Sequence, residues 1–353
     1  MAKKDNKPIK KNVLVLFGGV SEEHEVSLRS AMTVLNNIDE EKYRVFPVGI
    51  RKDGRWLLHR GENWELGEGI WEHNPGNSPV VLSPDGSFGL MMLTGKSYTV
   101  QKLDCVFPVL HGRNGEDGAI QGLAQLAGLP VVGSGLTASV CGMEKYLAKL
   151  MVEKTGVQQA AYVRVTDAED KESWEQLPFP YPVIVKPCAT GSSVGVTKVE
   201  SREQLPEAIR KALSFGSAAL IEEFITGHEI EVAVMGGEAP VASAVGEIVA
   251  NADFYDYDSK YINDNSDLLI PAPISPEKSE EVRAAALTVF KTLGCRGLSR
   301  VDFFLTEEGK VIFNEINTIP GFTSISMYPK LFEYGGMPIK EQITHLIEIA
   351  TKR

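Results

Sequence analysis

The densest group of residues able to do chemistry lies between Leu298 and Met327, LSRVDFFLTEEGKVIFNEINTIPGFTSISM. Its two arms, LSRVDFFL and KVIFNEIN, alternate as β-strands do, on either side of Glu308-Gly309, a pair suited to a tight turn. A turn there sets Asp302 opposite Glu315 and Arg300 opposite Asn317. Side chains two apart share a strand face, so all four polar groups converge on one side of the hairpin. The other side carries Val301, Phe303, Ile312 and Ile316, as a core requires. Two carboxylates and a carboxamide at close quarters repel unless a cation lies between them, and an all-oxygen set suits Mg²⁺ or Mn²⁺ rather than zinc. Acids in a hairpin more often face water. Here they sit among apolar residues beside an arginine, which favours the metal.

A second stretch reads as phosphate chemistry. The strand Tyr181 to Lys186 runs into CATGSSVGVT, a small-residue loop whose backbone N–H groups can approach phosphates closely, with Lys186 as a point charge beside them. No lysine-hydroxyl pair follows the glycines, so it is not a Walker A loop. Lys145 opens a helix over Glu144 to Lys154, with Leu147, Leu150 and Met151 as its buried face. Near the start, strand Asn12 to Phe17 meets Gly18-Gly19 and a helix carrying Leu28, Met32, Leu35 and Ile38 at helical spacing. Glu25, in that helix's first turn, either complements the helix dipole or takes a substrate ammonium. His111 follows the buried strand Leu103 to Leu110, where it either touches a ligand or satisfies backbone carbonyls of its turn.

The elements that position these groups alternate strand, turn and helix, an α/β pattern. Further strands are Tyr43 to Ile50 and Ala219 to Ile225, with hairpins around Asp85-Gly86 and Gly236-Gly237. Arg60 to Pro79 reads as an irregular excursion, and Asn251 to Leu269 as a long polar loop of lid length. Helices begin at Ser275-Pro276 and near Ile339. At 353 residues the chain exceeds one ordinary core. The division expected is a flexible tail at 1–10, an N-terminal α/β domain at 11–135, a central subdomain at 136–228 and a C-terminal subdomain at 229–353. A formal charge of -11 argues against a nucleic-acid partner. Four scattered cysteines give no zinc or redox motif and fit reduced thiols in a cytoplasm. No apolar run reaches membrane-spanning length, and NVLVLFGG is too short for a signal-peptide core.

Taken in order, GGVSEEHEVSL, LHGRNGEDG, KPCATGSSVGV, EEFITGHE, YDYDSKY, SRVDFF and NEINTIPGFTSISM resemble the D-alanine–D-alanine ligases of the ATP-grasp superfamily, from Gly18 to about Gly336. The resemblance implies an α/β ATP-grasp fold behind an N-terminal Rossmann-like domain. It implies that ATP phosphorylates the carboxylate of one D-alanine, and that the amine of a second then displaces phosphate, for peptidoglycan precursors. Residue by residue, it assigns Asp302, Glu315 and Asn317 to two Mg²⁺ or Mn²⁺ ions. Lys145, Lys186, Ser192 and Ser193 go to phosphates, Glu222, Glu223 and Ile225 to adenine, and Glu229 to ribose. Glu25, linked to Ser192 and Tyr261, goes to the first ammonium; Arg300 and the Gly321 N–H go to the oxyanion. Ser326 and the Met327 backbone go to the second carboxylate, with His111 near the first site and Lys260 beside Tyr261 in the lid. It also implies a homodimer. Relatives joining D-alanine to D-lactate or D-serine, other ATP-grasp carboxylate–amine ligases, and a non-catalytic nucleotide-binding module are the alternatives.

Overall fold

The structure, a computed structural model, describes residues 9–249 and 267–352. Tyr261, Lys260 and nearly all of the expected lid loop therefore lie outside the described residues. Three sheets carry the rest. The first comprises β1 (Lys11–Gly18), β2 (Tyr43–Ile50), β3 (Trp56–Leu58), β4 (Ser78–Leu82), β5 (Leu90–Thr94), β6 (Ser97–Gln101) and β7 (Cys105–Val109), in the order β6-β5-β4-β3-β2-β1-β7. β1 pairs parallel with β2 and β7, and the other pairings are antiparallel. Val13 to Phe17 are wholly buried, because the parallel end of the sheet is covered on both faces and its strands need not alternate. The excursion at Arg60 to Pro79 contributes a short helix, Trp64–Gly67, and the buried Trp71. β3 and β6 escape sequence reading because one is three residues long and the other is almost wholly exposed.

The second sheet is β10-β9-β11-β8, from β8 (Tyr162–Val165), β9 (Val183–Pro187), β10 (Thr197–Val199) and β11 (Ala219–Glu223). The third is β14-β13-β12-β15-β16, from β12 (His228–Gly236), β13 (Val241–Val249), β14 (Asp267–Leu269), β15 (Gly297–Leu305) and β16 (Val311–Asn317). Helices Met327–Tyr334 and Ile339–Thr351 join the first and third sheets through one core, in which Val13 and Phe17 share a cluster with Met235, Tyr328, Ile343 and Leu346. Where β15 begins, a Cβ on Gly297 would lie 2.7 Å from Gly133 Cα, and Gly297 has φ +77. Only glycine lets the two backbones cross there. No helix among the described residues is long and apolar enough to cross a membrane.

Two expectations need correction. The hairpin of β15 and β16 does pair Asp302 with Glu315 and Arg300 with Asn317, but it turns over Thr306 to Lys310 and pairs Leu305 with Val311. A β-bulge at Asn314 restores the expected register at the acids. Between turn and bulge the faces are exchanged: Phe313, not Ile312, joins Phe303 in the core. The Phe313 N–H also donates to Gln158 O at 2.7 Å, which draws β16 aside at that point. The helix Lys145–Val152 is likewise rotated from its apolar pattern. Leu147 and Leu150 are exposed, while Ala148, Lys149 and Val152 are buried.

Candidate active site

A cavity of about 400 Å³ opens between the second and third sheets. Lys145, Lys186, Ser193, Glu222, Glu223, Ile225 and Glu229 line it, and Ser192 does not. Lys186 Nζ lies 2.7 Å from Glu222 Oε2 and donates to Asn314 Oδ1 at 3.4 Å, so the bulge that resets the hairpin also supplies a cavity contact. Lys145 Nζ donates to Thr190 O at 2.5 Å and sits 3.4 Å from Glu315 Oε2. Ser192 and Ser193, in the loop after β9, have φ of 51 and 59. Non-glycine residues hold that left-handed conformation at a cost, and such strain clusters where a loop must meet a ligand.

A second cavity, of about 310 Å³, adjoins the first, and Glu315 and Gly191 line both. Arg300, His111, Ser192, Asn317, Gly321, Ser326 and Met327 line it. Glu25 does not. Its side chain is 54% exposed and pairs with Lys52 Nζ at 2.9 Å, away from the cavity. Glu23 takes the place expected for it: it lines the cavity and accepts from Ser192 Oγ. Glu23 is the cap residue and Glu25 the second residue of the helix His24–Asn37. Residues two apart in a helical turn face nearly opposite ways. The apolar spacing of Leu28, Met32 and Leu35 cannot separate three nearby glutamates. The end of β1 can, because ligand sites of α/β folds lie beyond strand C-termini and the cap residue stays nearest to it.

The cavity floor is the segment from Ile319 to Phe322, and buried side chains pin both ends. His111 Nδ1–H donates to Ile319 O at 3.0 Å, since a carbonyl can only accept, which leaves Nε2 to accept from Ser30 Oγ at 3.2 Å. Ser30 Oγ in turn accepts from Phe322 N at 3.1 Å. Burial lowers the His111 pKa, keeping the ring neutral. His111 thus braces backbone while also lining the cavity. Glu116, which sequence reading overlooked, accepts from Ile319 N at 3.2 Å and Gly112 N at 2.8 Å. Between these anchors a Cβ on Gly321 would lie 2.6 Å from Ser326 Oγ, so a side chain there would push that hydroxyl off the Thr323 N–H it accepts from.

Burial, with the charge of Glu23 adding to it, pushes Glu116 up to about 8. The folded chain then keeps a proton that the unfolded chain releases above an ordinary glutamate's 4.5. Stability from this group is complete below that value and is lost as pH rises towards 8, the reverse of a salt-bridged acid. Melting temperature should therefore fall from about pH 5 to 8 with a slope that Glu116→Gln reduces. An equal slope in both proteins would show that Glu116 titrates normally.

Glu231 stands opposite Asp302, and Asp302 opposite Glu315, so three carboxylates form one row across β12, β15 and β16. Like charges facing one another across strands are unfavourable unless compensated. Arg300 compensates two: Nε donates to Asp302 Oδ1 and Nη2 to Oδ2, both at 2.8 Å, and Nε lies 3.1 Å from Glu231 Oε2. Asn317 Nδ2 donates to Asp302 Oδ2 at 2.9 Å. Among the described residues no three His, Cys, Asp or Glu side chains are grouped as metal ligands. The donor set of Asp302, Glu315 and the Asn317 carbonyl is all oxygen and fits a hard divalent cation. Glu231 was missed because its strand, HEIEVAVMG, reads as an edge of alternating acids and apolar residues. Lys330, also in the second cavity, was hidden inside a short apolar helix.

Comparison with known proteins decides what these cavities belong to. The family model described as D-ala D-ala ligase C-terminus matches residues 151–348, and that described as D-ala D-ala ligase N-terminus matches 12–134. The chain belongs to the D-alanine–D-alanine ligase family. It is 46% identical over 363 residues to the D-alanine–D-alanine ligase of Acetivibrio thermocellus, covering 98% of this chain and 96% of that protein. It is 44% identical to that of Clostridium novyi, covering 98% and 99%. Among solved structures, the VanG D-Ala:D-Ser ligase from Enterococcus faecalis matches with a TM-score of 0.90 at 38% identity, covering 97% of this chain and 100% of that one. The D-alanine–D-alanine ligase from Coxiella burnetii matches at 0.84 with 33% identity, covering 97% and 94%. The ligase family brings the ATP-grasp fold with it.

Proposed function

We propose that this chain joins two D-alanine molecules into D-alanyl-D-alanine at the expense of ATP, through a D-alanyl phosphate, to supply peptidoglycan precursors. The observation that carries this is the meeting of the two cavities at Glu315 and Gly191. ATP occupies the larger, with its phosphates towards Lys145, Lys186 and the Ser192-Ser193 loop; the amino acids occupy the smaller. A carboxylate is too poor an electrophile to form an amide at neutral pH, and phosphorylation removes that barrier. Asp302, Glu315 and Asn317 would hold two Mg²⁺ or Mn²⁺ ions, which would supply neutralisation of the phosphate charge. Glu23, oriented by Ser192, takes the ammonium of the first D-alanine. Arg300 and the Gly321 N–H receive the oxyanion as the second amine attacks. Ser326 Oγ and the Met327 N–H, at the open start of the helix Met327–Tyr334, take the second carboxylate. Division at 135 and 228, a cytoplasmic setting and a homodimer complete this reading.

Phosphate release from ATP with D-alanine, L-alanine, D-lactate, D-serine or bicarbonate as the only acceptor tests it. D-Alanine alone should support turnover; activity with L-alanine or bicarbonate and none with D-alanine would sink the reading. D-Serine added to D-alanine asks the narrower question raised by the VanG structure. A mixed dipeptide outweighing D-alanyl-D-alanine would move the second site to D-serine. Replacing Glu23 with glutamine should lower kcat/KM for D-alanine by roughly tenfold or more, the cost of losing a charged hydrogen-bond partner. Glu25→Gln should leave it unchanged. Equal losses in both variants would return Glu25 to the site.

A further inference from the structure

The larger cavity is backed by a charge that ligand contact does not explain. Lys149 is 1% exposed, on the inward face of the helix Lys145–Val152, whose leucines point outward. Its Nζ lies 3.1 Å from Glu222 Oε1, donates to Ala160 O at 3.5 Å and sits 5.2 Å from the centre of the Tyr162 ring. Lys149 does not line the cavity. Glu222 and Lys186 do, and Lys186 holds the other Glu222 oxygen at 2.7 Å. One carboxylate is therefore shared by two lysines in a row that runs from the core to the cavity. A buried ammonium is a poor way to fill space, and methionine or leucine would pack the same volume without the desolvation cost. Burial tends to raise the Glu222 pKa, yet the two lysines outweigh it and hold the carboxyl below its usual range, in its ionised form; burial lowers the Lys149 pKa, and the Glu222 charge opposes that.

We propose that Lys149 is a positioning residue for the nucleotide's phosphates: it neutralises Glu222 from behind, so that Lys186 keeps its positive charge for the ligand. This rests on the placement of ATP in the larger cavity given above. Without Lys149, Glu222 and Lys186 form a neutral pair, and a polyanion entering the cavity meets a spent cation. With Lys149 present the row carries a net positive charge, and Lys186 is the member that delivers it. A carboxylate can then sit beside a phosphate-binding lysine without cancelling it.

ADP and adenosine, each tested as a competitor of ATP in the full chain turning over D-alanine, separate charge from packing. In Lys149→Met, ADP should bind about tenfold or more weakly, while adenosine changes by less than about threefold. In the double variant Lys149→Met/Glu222→Gln, ADP affinity relative to adenosine should recover most of that loss, because Lys186 is again unopposed. Equal weakening of ADP and adenosine, or no recovery in the double variant, would overturn the proposal. If Lys149→Met is too unstable to assay, Glu222→Gln alone decides. It raises the net charge of the row, and any adenine contact it removes weakens ADP and adenosine alike, so ADP should gain relative to adenosine, and a fall in ADP affinity relative to adenosine overturns the idea. Lys186→Met is the control on the underlying reading. If it leaves ADP binding unchanged, the phosphates lie elsewhere and the placement of ATP has failed, whatever Lys149 does.

Discussion

Replacing Arg300 with alanine should lower turnover roughly a hundredfold or more and leave the KM for ATP within a few-fold, the pattern of a lost oxyanion donor. Arg300 lines the amino-acid cavity, not the one assigned to the nucleotide, so its loss falls on the chemical step. Its guanidinium is held on β15 by Asp302 and by Glu231 of the neighbouring strand, both almost fully buried. That bracing keeps a donor in place before charge develops, which is where such groups gain their effect. Arg300→Lys is the informative companion. It keeps the charge but not the fork that meets two carboxylates at once, so it should recover only part of the rate. Unchanged turnover in Arg300→Ala would remove the residue from the mechanism. A rise in ATP KM matching the fall in rate would make it a nucleotide contact instead.

Much of this site was legible in the sequence because strands convert spacing into direction. Arg300, Asp302, Glu315 and Asn317 share a face on the period of two alone, and the structure pairs them as that period requires. The route to that register was less legible. A longer turn and a bulge at Asn314 offset each other, and no local pattern announces either. Helical positions carried less information. Of three glutamates within four positions, Glu22, Glu23 and Glu25, only Glu23 lines the cavity, and the packing of the helix against β1 selects it. Lys149 shows the same limit more sharply. An apolar pattern assigns leucines to the core, yet the buried Glu222 draws a lysine inward and turns Leu147 and Leu150 out. Electrostatic demand from another sheet overrode amphipathicity, and sequence alone places no partner beside that lysine. Glu231 and Glu116 were hidden for a related reason, since each acts on a segment distant in the chain.

Asp302→Asn should abolish most metal-dependent turnover and weaken Mn²⁺ binding in the presence of ADP by about a hundredfold or more, at least what losing an outer-shell partner costs. Binding is followed by the Mn²⁺ resonance signal, independently of catalysis. In the structure both Asp302 oxygens are already engaged, by Arg300 and by Asn317. A cation there sets a second positive charge beside the guanidinium on one carboxylate, so metal and Arg300 compete for Asp302. The same hairpin then predicts two opposite results. Arg300→Ala, which nearly abolishes turnover, should bind Mn²⁺ at least as tightly as wild type, whereas Asp302→Asn should lose it. Glu231 is a second anchor for the guanidinium, which lines the amino-acid cavity. Weaker Mn²⁺ binding in Arg300→Ala would mean that the arginine supports the metal site instead of contesting it. Unaltered binding in Asp302→Asn would take the metals off this hairpin altogether.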